Sequence, residues 1–84
     1  MEEFQISCVV QNSNGVITHV GIGGKTHPVM DIVNWILNRT YMFYTIKNGY
    51  KATVYAKQST LGNWFLTTEP DSTKVNNLDF LRVC

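Results

Sequence analysis

Gly21-Ile22-Gly23-Gly24-Lys25-Thr26 ends in a lysine and a threonine just ahead of a helix-patterned stretch, the residue types that cradle a phosphate. A Walker loop needs four residues between its first glycine and its Gly-Lys, with a parallel strand before it, and this segment has neither. Glycine-rich amides, a lysine and a helix N-terminus can still hold an anion. Lys25, Thr26 and His27 are therefore candidate ligand-binding residues, against the plainer alternative of a strand-to-helix turn. A second candidate group is Tyr44, Lys51, Thr53 and Tyr55, which puts rings, hydroxyls and an amine on one strand face. That is the layout of small nucleotide and single-strand binders. A merely solvated sheet face carries the same residue types.

Other chemistry is thinly supplied. Nucleophilic catalysis would need Cys8 or Cys84 near a histidine, and Cys8 and His19 fall one cross-strand step apart on a shared face if the first hairpin is tight. A buried thiol beside a satisfied histidine accounts for the same pair. The two cysteines show neither CxxC nor metal-ligand spacing, so Cys8 is expected as a small buried hydrophobe and Cys84 as a packed or frayed terminal thiol. Two histidines fall short of the three or four ligands of a zinc site. No HExxH, GxSxG or paired-carboxylate signature appears. The expectation is a protein that is not an enzyme, with no metal and no cofactor.

Eighty-four residues make one domain, 1–84, near the lower limit for a core without staples, so a homo-oligomer is expected. Seven Lys+Arg against six Asp+Glu leave a net charge of +1, too little field for bulk nucleic-acid binding or attraction to anionic membranes. The start Met1-Glu2-Glu3 is acidic rather than a basic leader, and no apolar run is long enough to cross a bilayer, which points to the cytoplasm.

The elements that must position these residues follow from periodicity. Phe4 to Gln11 alternates as one half-buried strand. Asn14-Gly15 reads as a two-residue hairpin loop, which sets Val10 opposite His19, Cys8 opposite Gly21 and Ile6 opposite Gly23. The other face of that hairpin, with Val9, Val16, Val20 and Ile22, is more apolar than water requires and is expected to meet a partner. Val29, Ile32, Val33, Ile36 and Leu37 form the apolar stripe of a helix within Thr26–Arg39, with Pro28 in its first turn and Thr26 or His27 as cap. Trp35 lies roughly 120° from the stripe's centre, a boundary or exposed aromatic. Tyr41–Lys47 and Tyr50–Lys57 form a second hairpin about Asn48-Gly49, with Phe43, Thr45, Ala52, Val54 and Ala56 facing the core. Asn63–Thr68 is a fifth strand, Glu69–Ser72 a turn, and Leu78 and Leu81 mark a short closing turn. The predicted fold class is α+β: an antiparallel five-stranded sheet with one helix packed on a face, in the order β-β-α-β-β-β with a short C-terminal turn.

Ile17-Thr18-His19-Val20-Gly21, the Asn34-Trp35-Ile36 helix, Phe43-Tyr44-Thr45, the Asn-Gly-Tyr turn, Leu66-Thr67-Thr68-Glu69-Pro70-Asp71 and Asn76-Asn77-Leu78-Asp79-Phe80-Leu81 with Cys84 resemble a family of small bacterial and phage domains of unknown function, number 3892. The resemblance implies a stand-alone cytoplasmic module that acts stoichiometrically, with no enzymatic residues to transfer. Together these readings predict a small binding module that sequesters a nucleotide-derived anionic ligand in an oligomeric pocket. The alternative is a protein-interaction module that inhibits a host defence protein, anchored by Val20, Ile22, Trp35 and Trp64.

Overall fold

Phe4 to Gln11 alternates as one strand, yet the chain bends at Ile6-Ser7 and serves two sheets. In the computed structural model, which describes residues 1–47, 49–68, 78 and 81–84, the elements are β1 (Glu2–Gln5), β2 (Cys8–Gln11), β3 (Ile17–Ile22), β4 (Lys25–Pro28), α1 (Val29–Leu37), β5 (Tyr41–Lys47), β6 (Tyr50–Thr53), β7 (Tyr55–Gln58), β8 (Trp64–Thr67) and β9 (Arg82–Val83). The fold is α+β, but the single five-stranded antiparallel sheet is replaced by three sheets: β1-β5-β6, β4-β3-β2-β9 and β7-β8. Two pairings, β1 with β5 and β2 with β9, are parallel. At the bend the Ile6 amide donates to Tyr44 O and the next amide, Ser7, to Gly21 O, so consecutive residues tie the chain to opposite neighbours. The bend also shifts the inward phase. Ile6 and then Val9 enter the core, at 0% and 2% exposure.

That shift reverses the expected faces of the first hairpin. Val9 and Val20 pack in the core and Ile22 lies half-buried against it, so these three are interior rather than a partner surface, and of the four only Val16 is exposed. The first turn is also wider than two residues. Asn12 accepts the Gly15 amide on its carbonyl and donates its own amide to Val16 O, leaving Ser13, Asn14 and Gly15 as the loop with Gly15 at φ 78°. Asn12 Oδ1 accepts from the Asn14 and Val16 amides at 2.9 and 3.1 Å. A bulge at Thr18 takes up the extra residue, because Gln11 pairs with Ile17 while Val10 pairs with His19. Val10–His19 and Cys8–Gly21 therefore pair as expected despite the wider loop, whereas Ile6 leaves for β5 and never meets Gly23.

Gly23 and Gly24 form a further hairpin turn, both with positive φ as a tight two-residue loop requires. They return the chain as β4, pairing Ile22 with Lys25, Gly21 with Thr26 and Val20 with His27. Thr26 and His27 thus cannot cap α1, which starts at Val29 with Pro28 as its N-cap and no side-chain cap bond. Ile32 and Val33 bury the stripe, each worth roughly 1.5–3 kcal/mol. At the far end Arg39 adopts φ 55° and donates to Ile36 O, while Thr40 donates to Trp35 O, closing the helix with a Schellman motif.

The second hairpin pairs Tyr44 with Thr53, Thr45 with Ala52 and Ile46 with Lys51, the register anticipated from its turn. Asn48 itself lies outside the described residues; Gly49 carries φ 82°. Phe43, Thr45 and Val54 are buried as expected. The strand breaks at Val54, and its continuation β7 pairs with β8 through a Ser59–Asn63 loop closed by Gly62 at φ 89°. The Glu69–Ser72 turn and half of the Val75–Cys84 tail fall outside the described residues. Leu78 is fully buried in the core and Leu81 is half-buried against it.

The two cysteines are not free. β9 lies beside β2, the Cys84 amide donates to Val9 O, and Cys8 and Cys84 form a disulfide with Cα atoms 5.0 Å apart across a sequence separation of 76. Closing so long a loop restricts the unfolded chain by about 4.5 kcal/mol on the loop-entropy account. Gly21 opposite Cys8 makes room for it. A Cβ there would collide with Cys8 Sγ and approach Cys84 Sγ to 2.9 Å. Gly21→Ala is expected to cost about 1–3 kcal/mol in denaturant unfolding. The cost should shrink to a fraction of that in a Cys8→Ala/Cys84→Ala background, where the colliding sulfurs are gone.

Candidate functional site

Residues two apart on a strand share a face, so Tyr41 and Phe43 of β5 point the same way, and the parallel register sets Phe4 of β1 beside Phe43. From the other side the β3–β4 hairpin brings Ile22 and His27, and α1 brings Trp35. These six residues line a cleft of about 240 Å³. Its walls are locked ring against ring. Trp35 stacks on Phe43 at 6.1 Å between centroids and meets Tyr41 edge-on at 5.6 Å. His27 meets Trp35 edge-on at 5.7 Å, and Phe4 meets Tyr41 at 5.2 Å. Such edge-to-face and stacked pairs, worth about 0.5–1.5 kcal/mol each beyond area burial, fix rotamers before any ligand arrives. Trp35 is thus half-buried against the core, the boundary position expected from its helical phase. The ring nitrogens of His27 make no hydrogen bond with any described residue, which leaves both open to a ligand in a mostly apolar cleft.

The sequence-predicted ligand residues divide among three places. Lys25, Thr26 and His27 lie on β4 rather than at a helix N-terminus, so the glycine-rich segment is a hairpin turn and not a cradle ahead of α1. Strand parity sends His27 and Lys25 to the face of Ile22, with His27 in the cleft and Lys25 directly across from Ile22. Thr26 takes the opposite face, with Gly21 and the disulfide. Tyr44, Lys51 and Thr53 share the outer face of β5–β6 by register, opposite to Phe43. There Lys51 Nζ forms an ion pair with Glu3 and sits 4.5 Å from the Tyr44 ring centroid. The Glu3 hydrogen bond, opposed by desolvation and aided by the Glu3 and Tyr44 charges, holds Lys51 above its ordinary 10.5. Its amine is already engaged within the chain. Tyr55 lies beyond the Val54 break, on a shallow cleft that it shares with Thr53, Tyr41, Ile36, Arg39 and Met42.

Of the candidate interface anchors, Val20 is fully buried in the core and is corrected to an interior residue. Ile22 and Trp35 line the aromatic cleft, and Trp64 lines a separate groove with Val16, Ile17 and Val29. Cys8 cannot serve as a nucleophile while it is held in the disulfide, and His19 Nδ1 instead meets Thr18 Oγ1 at 2.9 Å. Among the described residues no three of His, Cys, Asp and Glu cluster as a metal site would require. Phe4, Tyr41 and Phe43 were not foreseen as site residues. Their alternation marks core strands, and only the offset of Trp35 from the helical stripe hinted that rings would gather beside it.

A family model described as a protein of unknown function, DUF3892, matches residues 5–82. The chain belongs to this family. The matched segment contains Ile22, His27, Trp35, Tyr41 and Phe43 of the cleft, with Phe4 just outside it, and Cys8 but not Cys84. No curated protein and no solved structure matches the chain. No helix among the described residues of this DUF3892 chain is long and apolar enough to cross a membrane.

The Lys51–Glu3 pair yields a direct check on the outer face. Because Lys51 holds its proton above the usual value, the pair contributes stability below pH 10.5 and loses it as the pH climbs through the raised value. Glu3→Gln is expected to return Lys51 towards 10.5, measured by NMR titration of its Nζ and neighbouring carbons.

Proposed function

We propose that this chain is a non-enzymatic binding module that holds a flat, negatively charged heteroaromatic ligand of the nucleotide class in the aromatic cleft. The observation that carries this is the wall of Phe4, Trp35, Tyr41 and Phe43 with one unengaged imidazole, His27, set among the rings. A base placed on such rings gains roughly 1–3 kcal/mol by stacking. His27 would meet its edge. Lys25, across from Ile22 at the end of the hairpin and without an ion pair among the described residues, would reach the phosphate from outside the cleft's lining. The cleft's lining supplies a single imidazole and one phenol as titratable groups, which suits holding a ligand better than turning one over. A second copy of the chain closing the open side would exclude water from the bound ring, which is the role an oligomer would play in sequestering a signal molecule.

A thermal-shift and calorimetric screen against nucleoside monophosphates, diphosphates and cyclic dinucleotides tests it. A ligand at one hundred times its Kd stabilises by about 2.7 kcal/mol, a shift of many degrees for a chain this small. His27→Gln and Lys25→Gln are expected to weaken binding about tenfold each; in ligand-free buffer Lys25→Gln is expected to keep the parental Tm, and His27→Gln to lower it by a few degrees through the lost edge contact with Trp35. Lys51→Gln is expected to leave binding unchanged. Silence across the whole panel, or loss of binding on Lys51→Gln alone, would overturn the assignment to this cleft.

A further inference from the structure

The Cys8–Cys84 disulfide forms part of the wall of a second cavity, about 400 Å³, lined also by Ser7, Gly21, Gly24, Lys25, Thr26 and Arg82. Across the hairpin from Cys8 there is no side chain at all, because Gly21 occupies the position where any Cβ would strike the sulfurs. The two cysteines differ in access. Cys8 is 9% exposed, while Cys84, the residue after β9, is exposed. Two cations, Lys25 and Arg82, border the cavity, both exposed and neither paired with a described carboxylate. Electropositive surroundings favour thiolates, both the one arriving and the one leaving.

We propose that this disulfide is a thiol-exchange site that takes a small anionic thiol of the glutathione class onto Cys84. The incoming thiolate attacks Cys84 Sγ, a new S–S bond forms to the small thiol, and the Cys8–Cys84 bond breaks with its electron pair remaining on Cys8 as thiolate. A second thiolate then attacks the small thiol's sulfur in the mixed disulfide. It frees Cys84 and leaves the two small thiols joined, so that they are oxidised as the protein disulfide is reduced. Attack on Cys84 follows from access, and Lys25 and Arg82 draw in the carboxylates of the thiol and stabilise the thiolate left on Cys8. Exchange removes the covalent tie on β9, which otherwise holds to β2 through the short pairing of Cys8 with Arg82 and Val9 with Val83.

The experiment uses the intact oxidised chain with reduced glutathione in native buffer, quenched by acid and alkylation at intervals and read by intact mass and peptide mapping. The expected result is one glutathione per chain, carried on Cys84, with Cys8 alkylated, and no adduct on Cys84→Ser. Lys25→Gln/Arg82→Gln, checked to have parental Tm, is expected to slow exchange several-fold, and the difference should vanish at high salt. In parallel, amide exchange at Val9 and Cys84 should accelerate in the glutathione-bearing chain. The proposal is overturned by an adduct on Cys8, by exchange that occurs only when denaturant is added, by a double variant that exchanges at the parental rate, or by two alkylatable thiols before any reductant is present.

Discussion

Consecutive amides at Ile6 and Ser7 point in opposite directions, one to Tyr44 O and the other to Gly21 O, and the rest of the molecule is arranged around that division. An extended chain offers its amides alternately to either side, so a strand can be shared between neighbours that do not themselves pair. The bend lets β1 lie along β5 and β2 along β3, closing the helix-bearing side of the molecule over Ile6, Val9, Val20 and Phe43. Val54 does the same for β6 and β7, with its amide still bound to Phe43 O as the chain turns towards β8. A chain of this size thereby surrounds a core from several sides.

The β3–β4 hairpin then serves two places at once. Cross-strand partners share a face, so Val20, Ile22, Lys25 and His27 turn one way and Gly21 and Thr26 the other. The first set builds core and cleft and carries Lys25, which also borders the cavity of the disulfide. The second holds the gap in which the disulfide lies, with Gly21 contributing by lacking a side chain. The two faces are separated by one strand's thickness, and Gly23-Gly24 sets them both by returning the chain without a residue to spare.

Much of the fold was legible along the chain, and the misses have definite causes. Asn48-Gly49 specified the second hairpin's register, and the stripe from Val29 to Leu37 specified the helix, because turn geometry and helical period are local properties. The first hairpin kept its expected partners near Cys8 and Val10 through compensation, a loop one residue longer balanced by the extra residue at Thr18. The inversion of its faces came from the bend at Ile6-Ser7, which period-2 alternation cannot register. β4 was hidden because Lys25–Pro28 carries no apolar alternation and is held by pairing with β3 alone.

For the site, residue types and spacings determined that Tyr44, Lys51 and Thr53 would share a strand face and that Trp35 would stand off its stripe, while Lys25, Thr26 and His27 were expected in a turn ahead of the helix rather than on β4. Only the tertiary structure decided which of them meet. It gathered Phe4, His27, Trp35, Tyr41 and Phe43 from four elements, consigned Tyr44 and Lys51 to the opposite side of β5, and joined Cys8 to Cys84. The physical reason is that parallel pairings, β1 with β5 and β2 with β9, link segments distant along the chain through backbone hydrogen bonds. Such bonds are made by every residue type alike and so leave no mark in the order of side chains.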